Sequence, residues 1–325
     1  MTREEKNEKN PVLKILLMSL MFILLFSTVV SADELNSVNN PENTTSKLKV
    51  GNGLTIEKFS DGRVKGIENA KSLNELQKKE ILKQMKFTTE EIEKLPSTLI
   101  NEIISEGGVK VQLEQKNYKH IYTSLDGMDY IVTDETKELV DKVKAADAVK
   151  LGLGSNLIGT LEMGGHSEGI FSGYGTLIFN GKTSNNQEYK YSFVTNFNWS
   201  TGPTAWNYDK VAVAYETMAT RTGSTGHHYL YGNSSNDIGM NISNSSVYGV
   251  EGTTQAPTYN SYGYLMVNVN LPVSEDGNSG IFVSGYGHSW TPVPISVTFG
   301  PIGVDFGGIG DKWDWDNYFT IGKAY

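Results

Sequence analysis

The stretch Tyr264-Leu265-Met266-Val267-Asn268-Val269-Asn270-Leu271 decides the fold class. Leu265, Val267, Val269 and Leu271 fall on every second position, and Tyr264, Met266, Asn268 and Asn270 fill the places between. A period of two puts these sets on opposite faces of an extended chain, which is a β-strand. The same alternation recurs on both sides. Tyr189, Tyr191, Phe193, Thr195 and Phe197 alternate with Lys190, Ser192, Val194, Asn196 and Asn198, and Val211, Val213 and Tyr215 alternate with Ala212 and Ala214. Ile281–Val283, Ile295–Phe299 and Tyr318–Ile321 add further strands. Turn chemistry separates them at Asn180-Gly181, Gly202-Pro203, Gly223–Gly226, Asp276–Asn278 and Gly300-Pro301. Residues 151–325 are therefore expected to be an all-β domain of roughly eight to ten mainly antiparallel strands, a β-sandwich or a barrel. No fixed repeat marks a propeller or a solenoid.

Upstream the material changes. Of 28 basic and 37 acidic residues, 22 and 24 precede position 151, whereas 27 of 34 glycines, 14 of 17 tyrosines and all 5 tryptophans follow it. Residues 1–32 read as a signal peptide: Arg3, Lys6, Lys9 and Lys14, an apolar run from Ile15 to Val30, and small residues at Val30-Ser31-Ala32. Residues 33–70 read as a disordered segment or linker. Residues 71–150 read as a small helix-rich α+β region of leader or propeptide type. Ser72–Glu75 and Thr88–Glu91 fit capping boxes, and Leu99, Ile100, Ile103 and Ile104 form a helical stripe ended by Gly107-Gly108. Asp126-Gly127 fits a hairpin turn, and a last helix near Asp134 aligns Leu139, Val140, Val143 and Ala146.

Several function classes are disfavoured at once. The chain has no cysteine, which removes disulfides, thiolate metal sites and a thiol nucleophile. A net charge of −9 argues against nucleic acid as a partner. Gly165-His166-Ser167-Glu168-Gly169 matches G-x-S-x-G, but a strand rather than a helix is expected after it, so a turn is the better reading. His166, His227, His228 and His288 lack metal-ligand spacing, since adjacent histidines on a strand point to opposite faces. Asp311, Asp314, Asp316 and Asn317 resemble a calcium loop without its glycine and distal Glu, while Trp313 and Trp315 share one strand face and read as core. No metal and no cofactor are expected. Trp199, Trp206 and Trp290 stand beside turn residues and are the candidate binding contacts. Pro294–Gly310, apolar and glycine-rich, reads either as a segment entering a lipid surface or as a packed hairpin.

Phe197-Asn198-Trp199-Ser200-Thr201-Gly202-Pro203, then Asp209–Tyr215, and the unit Phe87–Gly108 resemble large secreted bacteriocin-type proteins of Gram-positive bacteria, the geobacillin class. That resemblance implies a non-enzymatic antimicrobial, or toxin-like protein, acting at a target cell envelope through its β-domain, with an N-terminal part removed or dispensable after export. It carries over no catalytic residue. A secreted carbohydrate- or cell-wall-binding module is the alternative, and an extracellular hydrolase the third. The expected partners are a cell envelope or surface glycan, with a membrane surface as a further candidate. The expected location is extracellular.

Overall fold

The computed structural model describes residues 45–322, apart from 52, 153–170, 203–207, 232–235 and 258. The architecture is predominantly antiparallel β. The first sheet takes strands β1 (Thr45–Val50), β2 (Leu54–Phe59), β3 (Val64–Lys65), β4 (Gly107–Val111), β7 (Phe171–Lys182), β8 (Glu188–Trp199), β13 (Ser261–Pro272) and β10 (Thr220–Leu230), in that spatial order. The second takes β11 (Asn241–Ser243), β12 (Gly249–Gln255), β9 (Tyr208–Tyr215), β14 (Ser279–Ser289), β17 (Gly310–Thr320), β5 (Glu114–Thr123) and β6 (Asp129–Ile131). A separate hairpin joins β15 (Ser296–Gly300) to β16 (Gly303–Gly307).

The two sheets pack face to face, as the alternation demands: each strand carries one apolar face, and two such faces bury each other. Leu265, Val267, Val269 and Leu271 all point into this core, beside Phe193, Phe197, Val211 and Val213. Phe193 of the first sheet stacks on Phe282 of the second with centroids 4.2 Å apart and planes 2° off parallel. Below them the Thr195 and Ser284 hydroxyls meet at 2.6 Å. Trp313 and Trp315 lie in the same core. Trp315 fits because β7 carries glycine opposite it: a Cβ on Gly173 would fall 2.2 Å from the Trp315 ring. That close approach needs a residue with no side chain.

Three of the four helices form a layer on the outer face of the first sheet, where strands β1 to β3 at that sheet's edge pack with them, and the fourth covers one end of the second. Helix α1 (Glu75–Gln84) begins at an Asn74–Gln77 capping box, two residues beyond the expected Ser72 cap. Helix α2 (Thr89–Lys94) begins at the Thr88–Glu91 box. Helix α3 (Ser97–Glu106) buries Leu99, Ile100, Ile103 and Ile104 and ends at Gly107 with φ 70°. These apolar groups pack with Ile56 and Val64 against Ile178, Val194, Tyr264 and Met266 of the sheet.

Thr45–Val50, Leu54–Phe59 and Val64–Lys65, expected to fall in a disordered segment or linker, are strands instead. Ile56 and Val64 find an apolar partner in α1 and α3, so the segment's polar composition understated its burial. Strands upstream of position 150 also belong to both sheets: β4 pairs with β7, and β5 pairs with β17. The change in charge near that position therefore marks no edge of either sheet.

Helix α4 (Lys137–Lys150) buries Val140, Lys144, Asp147 and Ala148, while Leu139 stays 56% exposed. The apolar face read from the sequence is thus rotated. The cause is electrostatic: Lys144 is drawn inward to Asp311, at 2.9 Å, with side-chain exposures of 0% and 3%. Asp311 also receives the Trp290 indole N–H at 2.8 Å and lies 2.6 Å from His120 Nε2. Burial alone raises this carboxyl, but Lys144 and His120 outweigh it and hold the group below the usual carboxylate range.

Truncating Trp315 to Ala is expected to cost about 3–5 kcal/mol by opening a cavity at the sheet interface, read as a lowered denaturant midpoint. Gly173→Ala is expected to destabilise as well, because its new methyl group meets the same ring. A Gly173→Ala variant as stable as the parent would contradict this packing.

Candidate ligand groove

Two cross-strand rows build the outer face of the first sheet. Ser172, Asn198, Tyr262 and Tyr229 stand in register on β7, β8, β13 and β10. Tyr174, Asn196, Tyr264 and His227 form the next row. Directly opposed residues of antiparallel strands project to the same side, so the rows give a surface of phenol rings and carboxamides.

Beyond the start of α3 no described helix covers this surface. A groove of about 790 Å³ runs between Pro96 and the sheet, over Tyr174, Asn196, Asn198, Tyr231 and Tyr262. Tyr262 stacks on Tyr229 with ring centroids 5.3 Å apart, and Tyr231 lies tilted at 48° to it with centroids 4.8 Å apart. The Tyr231 hydroxyl donates to Asn198 Oδ1 at 2.6 Å, and that ring is 53% exposed. Asn196 Nδ2 donates to Thr176 Oγ1 at 3.2 Å. Burial pushes the Tyr174 and Tyr229 hydroxyls up to about 12, so both stay neutral donors across ordinary pH. Rings that stack, with hydroxyls and amides that both donate and accept, suit a neutral polyhydroxylated ligand.

Farther in, α3 covers the same face through polar contacts. The Thr98 hydroxyl pairs with the Tyr229 hydroxyl, and the Tyr264 hydroxyl donates to Glu102 Oε2 at 3.0 Å. Thr225 donates to the other Glu102 oxygen at 3.4 Å. Burial raises the Glu102 carboxyl, and those two hydroxyls and nearby His227 only partly offset it.

The tryptophans expected to make contacts lie elsewhere. Trp199 is 1% exposed and donates its indole N–H to the Tyr286 hydroxyl at 3.1 Å. Trp290 is 4% exposed and spends its N–H on Asp311. Both sit at strand ends near turns, but their rings turn inward, where a large apolar surface gains most from burial. Neither is open to a partner. Trp206 lies outside the described residues, as do Gly165–Gly169 with His166 and Ser167.

The remaining candidates separate by face. Asp311 and Asn317 point inward while Asp314 and Asp316 point outward, so one straight strand splits the supposed calcium loop. His227 faces the outer surface, with Asp237 Oδ2 2.6 Å from its Nδ1, and His228 faces the core. His288 is buried with its Nδ1 2.8 Å from Asp209, whose other oxygen accepts from Tyr286 at 2.6 Å.

The groove residues Tyr231 and Tyr262 were not singled out from the sequence. The available signal was the outward-facing set of tyrosines and asparagines on strands whose inward set is apolar. Only the cross-strand register shows that these sets lie side by side.

No family model matches the sequence, and no curated protein matches it. Among solved structures, a collagen-binding domain from a Staphylococcus aureus adhesin is similar over 44% of this chain and 95% of that chain, at 10% identity and a TM-score of 0.26. A likeness at that score carries no argument about fold or function.

Two titrations follow from the packing. His228 has Thr254 Oγ1 2.9 Å from Nδ1, and burial pushes its imidazole down to about 4 from the ordinary 6.5. The unfolded chain then takes up a proton that the folded chain refuses, so stability falls as pH drops from about 6.5 towards 4. The difference in Tm between the parent and His228→Gln is expected to shrink over that interval. Glu102 has the opposite sense of shift: ionisation is penalised in the folded state, and the penalty enters as pH rises through the carboxylate range. Glu102→Gln is therefore expected to gain in Tm relative to the parent between pH 4 and pH 7, and a pH-independent difference would argue against the burial of this carboxyl.

Proposed function

We propose that this is a secreted, non-enzymatic binding protein that recognises a neutral glycan of a cell envelope through the tyrosine–asparagine groove. The observation that carries the reading is Tyr262, stacked on Tyr229 with Tyr231 tilted beside it, lining a groove edged by Asn196 and Asn198. A sugar ring offers an apolar face to an aromatic ring and hydroxyls to amides, and this floor supplies both partners side by side. Among the described lining residues only Glu93 and Lys94 bring charged side chains, which favours an uncharged ligand.

Export rests on the basic residues and apolar run before Ala32. Among the described residues no helix is long and apolar enough to cross a membrane. Antimicrobial action at the envelope belongs to the same proposal as a consequence of attachment there, and it rests on the resemblance alone.

The test is binding of the purified protein to insoluble cell-wall polysaccharide by sedimentation and to soluble neutral glycans by calorimetry. Tyr262→Ala is expected to weaken binding by about tenfold or more, since a central aromatic anchor contributes on the order of 2 kcal/mol. Its circular dichroism should match the parent, with only a modest fall in Tm because Tyr262 is half-buried against the outer core. A Tyr262→Ala protein that binds as the parent does, or a parent that binds no glycan, rejects the reading.

A further inference from the structure

The hairpin of β15 and β16 is attached to the sandwich differently from every other described strand pair. Its two strands pair only with each other and join neither large sheet. Val297, Phe299, Val304 and Phe306 lie on one face with Ile295 at the base, and this face rests on the outer side of the second sheet. The surface beneath is almost bare of side chains. Phe306 lies over Gly285, Ile295 and Phe306 lie over Gly287, Phe299 lies over Gly249, and Ala212 completes the contact. One long edge of the hairpin borders a groove of about 670 Å³ that contains Thr123, Asp129, Asp305 and Lys312, so water reaches along it. Ile302 at the tip is 59% exposed and Val293 before the base is 68% exposed. Asp305, the hairpin's one charge, stands on the opposite face.

We propose that this hairpin is a releasable arm that lifts off the sandwich and seats its apolar face in the interfacial layer of a zwitterionic lipid bilayer. Detachment breaks no ladder hydrogen bond to the sheets, because the arm's ladder runs only between its own two strands and stays formed. What it exposes on the arm is apolar and needs a new apolar surroundings. What it uncovers on the sheet is glycine and alanine, with little apolar area to leave in water. Strands of five residues fall short of the roughly 9–11 needed to span a bilayer, which sets the depth at the interface. The net charge of −9 disfavours anionic headgroups and leaves neutral ones. The arm and the tyrosine–asparagine groove lie on different sheets, so this inference does not depend on the glycan reading.

The chain has no cysteine, so an engineered pair forms one defined disulfide. A Cβ at position 287 would lie 2.9 Å from Ile295 Cγ2, which brings Gly287→Cys and Ile295→Cys within reach of each other. Flotation with phosphatidylcholine vesicles then compares one protein oxidised and reduced, and the apolar N-terminal run contributes equally to both. The oxidised form is expected to bind at least about tenfold less than the reduced form. Gly285→Ala acts in the opposite direction: its methyl group would meet Phe306 at 2.4 Å, while the nearest main-chain atom is 3.5 Å away. This variant is expected to bind more strongly than the parent while keeping the parent's circular dichroism. An environment-sensitive dye on Ile302→Cys should shift to the blue when vesicles are added. Equal binding by the oxidised and reduced forms, or an unshifted dye on vesicle-bound protein, overturns the proposal, as does a Gly285→Ala protein that floats no better than the parent.

Discussion

The seam of aromatic rings between the two sheets is the contact on which the rest of the molecule depends. Phe193 and Phe282 stack face to face, and Trp315 occupies space that Gly173 leaves empty. Rings of this size set how far apart the sheets stand, and the glycines opposite them set where each ring can go. Once the seam is in place, every strand has an inner and an outer side, and all later features are consequences of which residues fall outward. The tyrosine–asparagine rows fall outward on the first sheet. The glycine–alanine track falls outward on the second.

The two outer faces solve the problem of covering a sheet in different ways. Helices α1 to α3 cover the first through a second apolar core and add hydroxyl and carboxylate contacts from Thr98 and Glu102. The cover stops at Pro96, and the groove begins there. Among the described residues, the outer face of the second sheet carries a hairpin that touches it through a few side chains. A firmly packed cover beside an open groove suits a rigid recognition surface, where little ordering is needed on binding. A lightly attached hairpin belongs to the low-stability end of the structure, the source of segments that move.

Charge is handled by burial in pairs. Asp311 is held by Lys144 and flanked by His120 and Trp290, which ties helix α4 to strand β17 across 167 positions of sequence. Asp209 collects His288 and Tyr286 at the core between the two sheets. Removing one member of such a pair strands the other in low dielectric, so these contacts specify how α4 sits on the sheet more than they add net stability.

The sequence by itself determined the strands and their two faces. The alternation of Leu265, Val267, Val269 and Leu271 names the inner side without knowledge of any neighbour, because the side-chain period of an extended chain is a local property. The inward turn of Trp313 and Trp315, the opposed faces of His227 and His228, and the Thr88–Glu91 cap were legible for the same reason. What only the tertiary structure decided is which faces meet. Trp199 and Trp290 read as exposed because turns adjoin them, yet their rings fill the interior, since burial depends on residues far away in sequence. Residues 45–65 read as linker until α1 and α3 offered Ile56 and Val64 an apolar partner. Helix α4 turned its face because Lys144 met a carboxylate 167 residues away. The groove itself exists only in the register of four strands, and register is set by long-range pairing that no local pattern encodes.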